Sequence, residues 1–229
     1  MVGNDIVDIN FVDAPAYHHL RYLEQVCTPE EAQAVGDSAD PSRSLAVVWA
    51  SKEATYKLFS RQLPRRCFVP RQFVTRTENG TPLDSASEAR VTHEGIEARV
   101  AISGTGQWVH AIATLIEGQV VRWTVQNIER GFPSHAGARK ESDAVRFLAR
   151  QLLLLCGLED AELEFIGKVP TVRRKERGCG EIGISLSHHG AFASAVITWS
   201  AGASAQPQQM NHRILEVSSW EAVCSTCMV

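Results

Sequence analysis

Apolar positions along the chain follow two rhythms, one of period two and one near 3.6, and their alternation maps the expected elements. The opening GNDIVDI predicts a short strand, and 21–26 predicts a helix. Thr28-Pro29-Glu30-Glu31 reads as a helix start, because threonine caps, proline suits the first helical position and Glu31 completes a capping box. A polar loop over 36–42 separates this from a longer helix over 44–60. Strand-like runs follow at 68–77, 88–93, 96–103 and 108–116, divided by turn residues such as Asn79-Gly80.

A second cycle then begins, with a strand over 120–128 and a loop over 131–137. The stretch 142–156 predicts a helix with Val145, Leu148, Ala149, Leu152 and Cys156 on one face. Strands are expected at 163–166, 182–187 and 192–199, and the residues from Ala201 onward have linker composition. The two cycles resemble each other. RVAISGTGQWVHAIATL (99–115) and IGISLSHHGAFASAVITW (182–199) each join two apolar strands through a small polar turn, with a long helix upstream. A duplicated unit of about 100 residues is implied, a size that supports a core of its own. The expected organisation is 1–117, 118–200 and a tail, 201–229.

Composition narrows the function more than the fold. The chain has 229 residues, 44% hydrophobic and 21% charged, as in a globular protein. A net charge of −3 gives no general pull toward nucleic acid or anionic membrane, so any phosphate chemistry must come from a local cluster. No apolar run approaches the roughly 20 residues that span a bilayer, and the N-terminus lacks a basic region followed by an apolar stretch. A cytoplasmic location is expected, with the six cysteines reduced. Cys224-Ser-Thr-Cys227 has no partner pair, which argues against a zinc or redox role.

Candidate chemistry concentrates at two places. In WASKEATYKLFS (49–60), Trp49, Glu53 and Lys57 fall on one helical row, with Lys52 and Tyr56 on the next. A Glu-Lys pair at this spacing is also the ordinary decoration of a solvated helix, worth about 0.3–0.5 kcal/mol. Asp5 lies in an otherwise apolar strand, and with Glu53, waters and ligand oxygens it would suit magnesium. Asp8 falls on the opposite face of that strand, away from Asp5. The second place is Ser187-His188-His189-Gly190, at the end of a strand. A serine hydroxyl and one imidazole there suit an anion such as phosphate, and a solvated polar turn fits the same residues. The first cycle lacks these imidazoles and the second lacks the carboxylates, so a site shared by the two halves is the economical expectation.

Taken together, GNDIVDI (3–9) and WASKEATYK (49–57) resemble the signature of the 4′-phosphopantetheinyl transferase superfamily. Its pattern is G-x-D-x-x-[ED]-I, then W-x-x-K-E-A-x-x-K about forty residues on. The second half resembles the coenzyme A-holding half of the longer, surfactin-synthetase-activating type. Asp143-Ala144-Val145-Arg146 opens its helix, Gly167-Lys168-Val169-Pro170 is similar to the G-K-P element, and Ile184-Ser185-Leu186-Ser187-His188 to the I-S-x-S-H strand end. Two departures stand out. The halves are in reversed order relative to the long type, and Val7 occupies the place of a further carboxylate. Asp8 is spaced instead as in the short holo-acyl-carrier-protein synthase type, which favours two protein carboxylates on the metal and leaves Asp8 without a role.

The resemblance implies an α+β fold of two similar halves, each a long helix on a small antiparallel sheet, related by a pseudo-twofold axis. It implies transfer of the 4′-phosphopantetheine arm of coenzyme A to a serine of an apo carrier protein (acyl, polyketide or peptidyl), with Mg²⁺ on Asp5 and Glu53. Lys57 is then the expected pyrophosphate contact and Lys52 a weaker one. His188, Ser187 and Arg146 are expected on the 3′-phosphate side, Lys168 near the adenine or ribose, and His189 in a structural role. With both halves in one chain, an active monomer is expected. The competing readings are a non-catalytic module that binds coenzyme A or a carrier protein, and a metal-dependent phosphohydrolase.

Overall fold

The first strand, β1 (Val2–Asp8), is buried along its whole length, and the rest of the first unit is arranged around it. The computed structural model describes residues 1–12, 19–61, 67–115, 119–128, 140–174 and 181–200. The chain divides into two units, Val2–Leu115 and the residues from Ile116 onward.

In the first unit, α1 (Ile9–Val12), α2 (Leu20–Val26), α3 (Pro29–Gly36) and α4 (Pro41–Ser60) precede the strands β2 (Val74–Thr77), β3 (Glu88–His93), β4 (Ile96–Gly104) and β5 (Trp108–Thr114). The sheet is antiparallel with order β1-β5-β4-β3-β2, so the first strand closes against the last. Their register pairs Asp5 with Ala111 and Ile6 with His110.

The capping box forms as the sequence dictates. Thr28 N donates to Glu31 Oε2 at 2.7 Å, and Glu31 N donates to Thr28 Oγ1 at 3.3 Å. For α4, Asp40 accepts from Arg43 N at 2.9 Å and Pro41 fills the first turn. Only Trp49, Glu53, Tyr56, Lys57, Ser60 and two residues of the first turn keep partial exposure on α4; the rest is buried. That near-complete burial requires close packing against β1. A Cβ placed on Gly3 would lie 2.0 Å from the Ala54 carbonyl oxygen, so only glycine lets the helix settle there.

The 68–77 stretch is not one strand. Pro70 starts a 3-10 turn, Pro70–Gln72, and the strand is confined to β2. Phe73 then stacks on His93 with centroids 4.1 Å apart, tying that turn to β3.

The second unit has β6 (Gln119–Asn127), α5 (Lys140–Leu155), the hairpin β7 (Ala161–Ile166) and β8 (Val169–Arg174), and the hairpin β9 (Gly183–His189) and β10 (Phe192–Ser200). β6, β10 and β9 form a three-stranded antiparallel sheet, and among the described residues β7 pairs only with β8. The apolar face of α5 does what its periodicity predicts: Val145, Leu148, Ala149 and Leu152 pack with Ile184, Ala193, Ala195 and Ile197. β8 escaped the sequence reading because none of its residues is fully buried and it holds a proline. Mixed helix and antiparallel sheet in both units make the fold α+β. No helix among the described residues is long and apolar enough to cross a membrane. The 131–137 loop, the 201–229 tail and its Cys224/Cys227 pair lie outside the described residues.

Candidate active site

Three charged groups meet where β1 crosses α4. Asp5 projects from the strand, while Glu53 and Lys57 stand one helical turn apart on the half-exposed strip. Lys57 Nζ lies 2.8 Å from Asp5 Oδ1 and 3.2 Å from Glu53 Oε1, so one ammonium bridges two carboxylates. Asp5 is almost wholly buried; Glu53 and Lys57 retain 28% and 26% side-chain exposure, enough for a ligand to reach them. Burial alone would lower the Lys57 pKa, but Asp5 first and Glu53 second hold its proton and carry the net shift upward. Lys57 is therefore a fixed cation. Its bond to Asp5 is what distinguishes the Glu53–Lys57 pair from a solvated i,i+4 decoration.

Lys52 departs from the expectation of a pyrophosphate contact. Its side chain is fully buried, with Nζ 2.5 Å from Glu31 Oε2 and 2.8 Å from the Val26 carbonyl. Successive residues on a helix are about 100° apart, so a neighbour of the outward-facing Glu53 can point into the protein. Glu31 also accepts Thr28 N and, at 2.7 Å, Thr75 N. One carboxylate thus ties α3, α4 and β2 together. Burial pulls the Lys52 pKa down while Glu31 opposes it. Beside this pair the buried Cys27 thiol is pushed up to about 12, by burial and then by the Glu31 charge, and is inert at neutral pH.

Asp8 lies on the other face of β1, as alternation requires, and its Oδ1 accepts from Asn10 N at 3.0 Å and Asn10 Nδ2 at 3.1 Å. It starts α1. On that same face Asn4 Nδ2 lies 3.3 Å from His110 Nε2. His110 is fully buried, and burial, with the Lys57 charge adding, pushes its pKa down to about 3. Trp49 packs between Tyr22 and Phe68, with centroids 6.2 and 5.9 Å away, as expected of the row's apolar member.

The second unit places its polar residues more openly. His188 lies on the α5 side of β9, in line with Ile184 and Leu186, and its Nδ1 is 3.3 Å from Glu141 Oε2 at the start of α5. Arg146 sits 3.8 Å from Asp143 and 4.7 Å over the Phe165 ring. Lys168 stands exposed in the two-residue turn between β7 and β8. Ser187 pairs with Ser194 and is buried on the opposite face of β9, so the strand does not bring Ser187 and His188 to one anion. His189 closes the β9–β10 hairpin opposite Phe192, across a turn in which Gly190 takes φ 56°.

Sequence reasoning found the Asp5–Glu53–Lys57 group but missed what supports it. The Glu31–Lys52 anchor had a partial signal, since the capping box already singled out Glu31. Gly3 had only its place in the motif, and nothing marked His110.

The donor set bears on the metal. Among the described residues no group of three or more His, Cys, Asp or Glu is placed to hold an ion. Asp5 and Glu53 each turn one carboxylate oxygen to Lys57 Nζ, and two such oxygens would suit a hard cation that keeps several waters. Residues 1–113 match the family model of the 4′-phosphopantetheinyl transferase superfamily, which identifies the first unit as one of that superfamily. Its chemistry in general is therefore phosphopantetheinyl transfer, with coenzyme A and carrier proteins as the family's partners. No curated protein matches the chain.

Proposed function

We propose that this protein moves the 4′-phosphopantetheine arm of coenzyme A onto a serine of an apo carrier protein, with Mg²⁺ and with adenosine 3′,5′-bisphosphate as by-product. One observation carries the reading: Asp5 and Glu53 converge on Lys57 within a unit of this superfamily. The serine oxygen bonds to the phosphorus nearer the pantetheine, and that phosphorus releases the oxygen bridging to the nucleotide phosphate. Mg²⁺ on Asp5 and Glu53 supplies charge neutralisation for the pyrophosphate and for the departing oxygen.

The chain's own residues do the rest. Lys57 brings an ammonium to the pyrophosphate, and Glu53, or a water that it orients, accepts the serine proton. Lys52 holds α4 from inside so that Glu53 faces outward. His188 and Arg146 take the 3′-phosphate, Arg146 with a guanidinium fork suited to it, and Lys168 lies near the adenine or ribose.

The test is intact-mass analysis of acyl, polyketide and peptidyl carrier proteins incubated with the protein, coenzyme A and Mg²⁺. The expected gain is about 340 Da on the carrier, the mark of a covalent transfer. Glu53→Gln should lower the rate at least about a thousandfold, on the order of 4 kcal/mol of barrier, without changing the melting temperature. Coenzyme A binding with no mass gain on any carrier would leave a binding module in place of an enzyme. Near-normal turnover by Glu53→Gln would remove the metal assignment.

A further inference from the structure

Lys57 sits on one oxygen of each carboxylate that a divalent cation would use. At 2.8 and 3.2 Å from them its ammonium takes hydrogen-bond distances, whereas Mg²⁺ binds oxygen at about 2.0–2.1 Å. An ammonium and a divalent ion on the same pair of oxygens would repel each other across a few ångströms. Resting on the reading of Asp5 and Glu53 as metal ligands, we propose that Lys57 is the built-in counter-ion of the metal seat. It leaves the carboxylates as the metal arrives, and its ammonium is thereby released to the pyrophosphate.

Charge makes the exchange directional. With Lys57 in place, the two carboxylates and one ammonium carry one net negative charge. Once a divalent ion occupies the carboxylates and Lys57 has swung aside, the cluster carries one net positive charge, which favours an anion. The side chain has room for this move because Lys57 is on the half-exposed strip of α4, at 26% exposure, while its partner Asp5 is held rigidly in β1. The helix supplies the pivot: Glu53 and Lys57 are one turn apart, so the released ammonium stays within a side chain's length of the metal. Metal and phosphate ligand then bind cooperatively, and by linkage each tightens the other by the same factor. The protein discourages the metal alone and accepts it with its substrate.

Calorimetric titration with Mn²⁺, with and without inorganic pyrophosphate, tests this without any turnover. Lys57→Gln should bind Mn²⁺ at least tenfold more tightly than the natural protein when no anion is present. Pyrophosphate should tighten Mn²⁺ binding by a smaller factor in that variant than in the natural protein. Equal or weaker Mn²⁺ binding by Lys57→Gln overturns the inference. Independently of any variant, reductive methylation of Lys57 in the natural protein should speed up when Mn²⁺ is added; an unchanged rate also overturns it. Glu53→Gln separates the two levels. If it leaves Mn²⁺ affinity intact, the metal reading itself falls and this inference with it. If it weakens Mn²⁺ while Lys57→Gln does not strengthen it, only the exchange is wrong.

Discussion

The two units share a three-strand pattern and treat charge in opposite ways. In both, the unit's first strand pairs with its last, which turns back on the strand before it: β1-β5-β4 in one, β6-β10-β9 in the other. In both, a long helix packs its apolar side on that sheet. The first unit then buries its ions. Lys52, Glu31 and Asp5 are nearly or wholly inaccessible, and Lys57 bridges two carboxylates. The second keeps one tight pair, Arg174–Asp160 at 2.8 Å, but leaves Arg146, Glu141 and Asp143 about half exposed, with their pairings loose at 3.3–3.8 Å. The same scaffold thus supports a preorganised charge cluster in one case and an adaptable surface in the other. Buried charges of this kind cost stability unless every partner is present, whereas exposed ones contribute little to folding and remain available to a ligand.

That contrast is sharpest at Lys52. Lys52→Met leaves Glu31 buried without its ammonium and should cost about 3–5 kcal/mol in denaturant unfolding. Adding Glu31→Gln to Lys52→Met should return part of that loss. If Lys52→Met unfolds like the natural protein, the first unit does not depend on its buried ions. Acid exposes the same unit through His110. The unfolded chain takes up this proton near pH 6.5, whereas the folded imidazole resists until about pH 3. Stability from this residue is therefore complete above pH 6.5 and falls as the pH drops toward 3, with a slope of up to about 1.4 kcal/mol per pH unit. His110→Gln should flatten that part of the stability profile, and an unchanged slope would mean that the imidazole is not the group responsible. In the second unit the effect should appear in binding alone. His188→Ala should raise the KM for coenzyme A roughly tenfold, about 1.4 kcal/mol, with no change in melting temperature. A loss of kcat at saturating coenzyme A would contradict an anion-contact role.

Legibility followed the range of the interactions. The capping box of α3, the length of α4, the apolar face of α5 and the β4–β5 and β9–β10 hairpins rest on neighbours a few residues apart, and the sequence reading located them. The row Glu53–Lys57 was visible for the same reason. Its partner Asp5 was suggested by a carboxylate in an apolar strand and by the motif as a whole. Lys52 was misjudged because its partner Glu31 is 21 residues away, and helical spacing alone does not say which of two adjacent rows faces inward. Ser187 was grouped with His188 by adjacency, although a strand sends neighbours to opposite faces. His110 gave no sign at all, since its partner Asn4 lies 106 positions away and is fixed only by the β1–β5 register.

Glu31 gives the Lys52–Glu53 dipeptide a mechanical meaning. Lys52 acts like a key in the slot of a shaft: with Nζ held by Glu31 and by the Val26 carbonyl, α4 is indexed against both rotation and sliding. Glu53 inherits that indexing through a single peptide bond. The pitch of the carboxylate is thus set by the cap of a different helix, and wear at Thr28 or Thr75, neither of which belongs to the reactive group, would be felt as misalignment at Glu53.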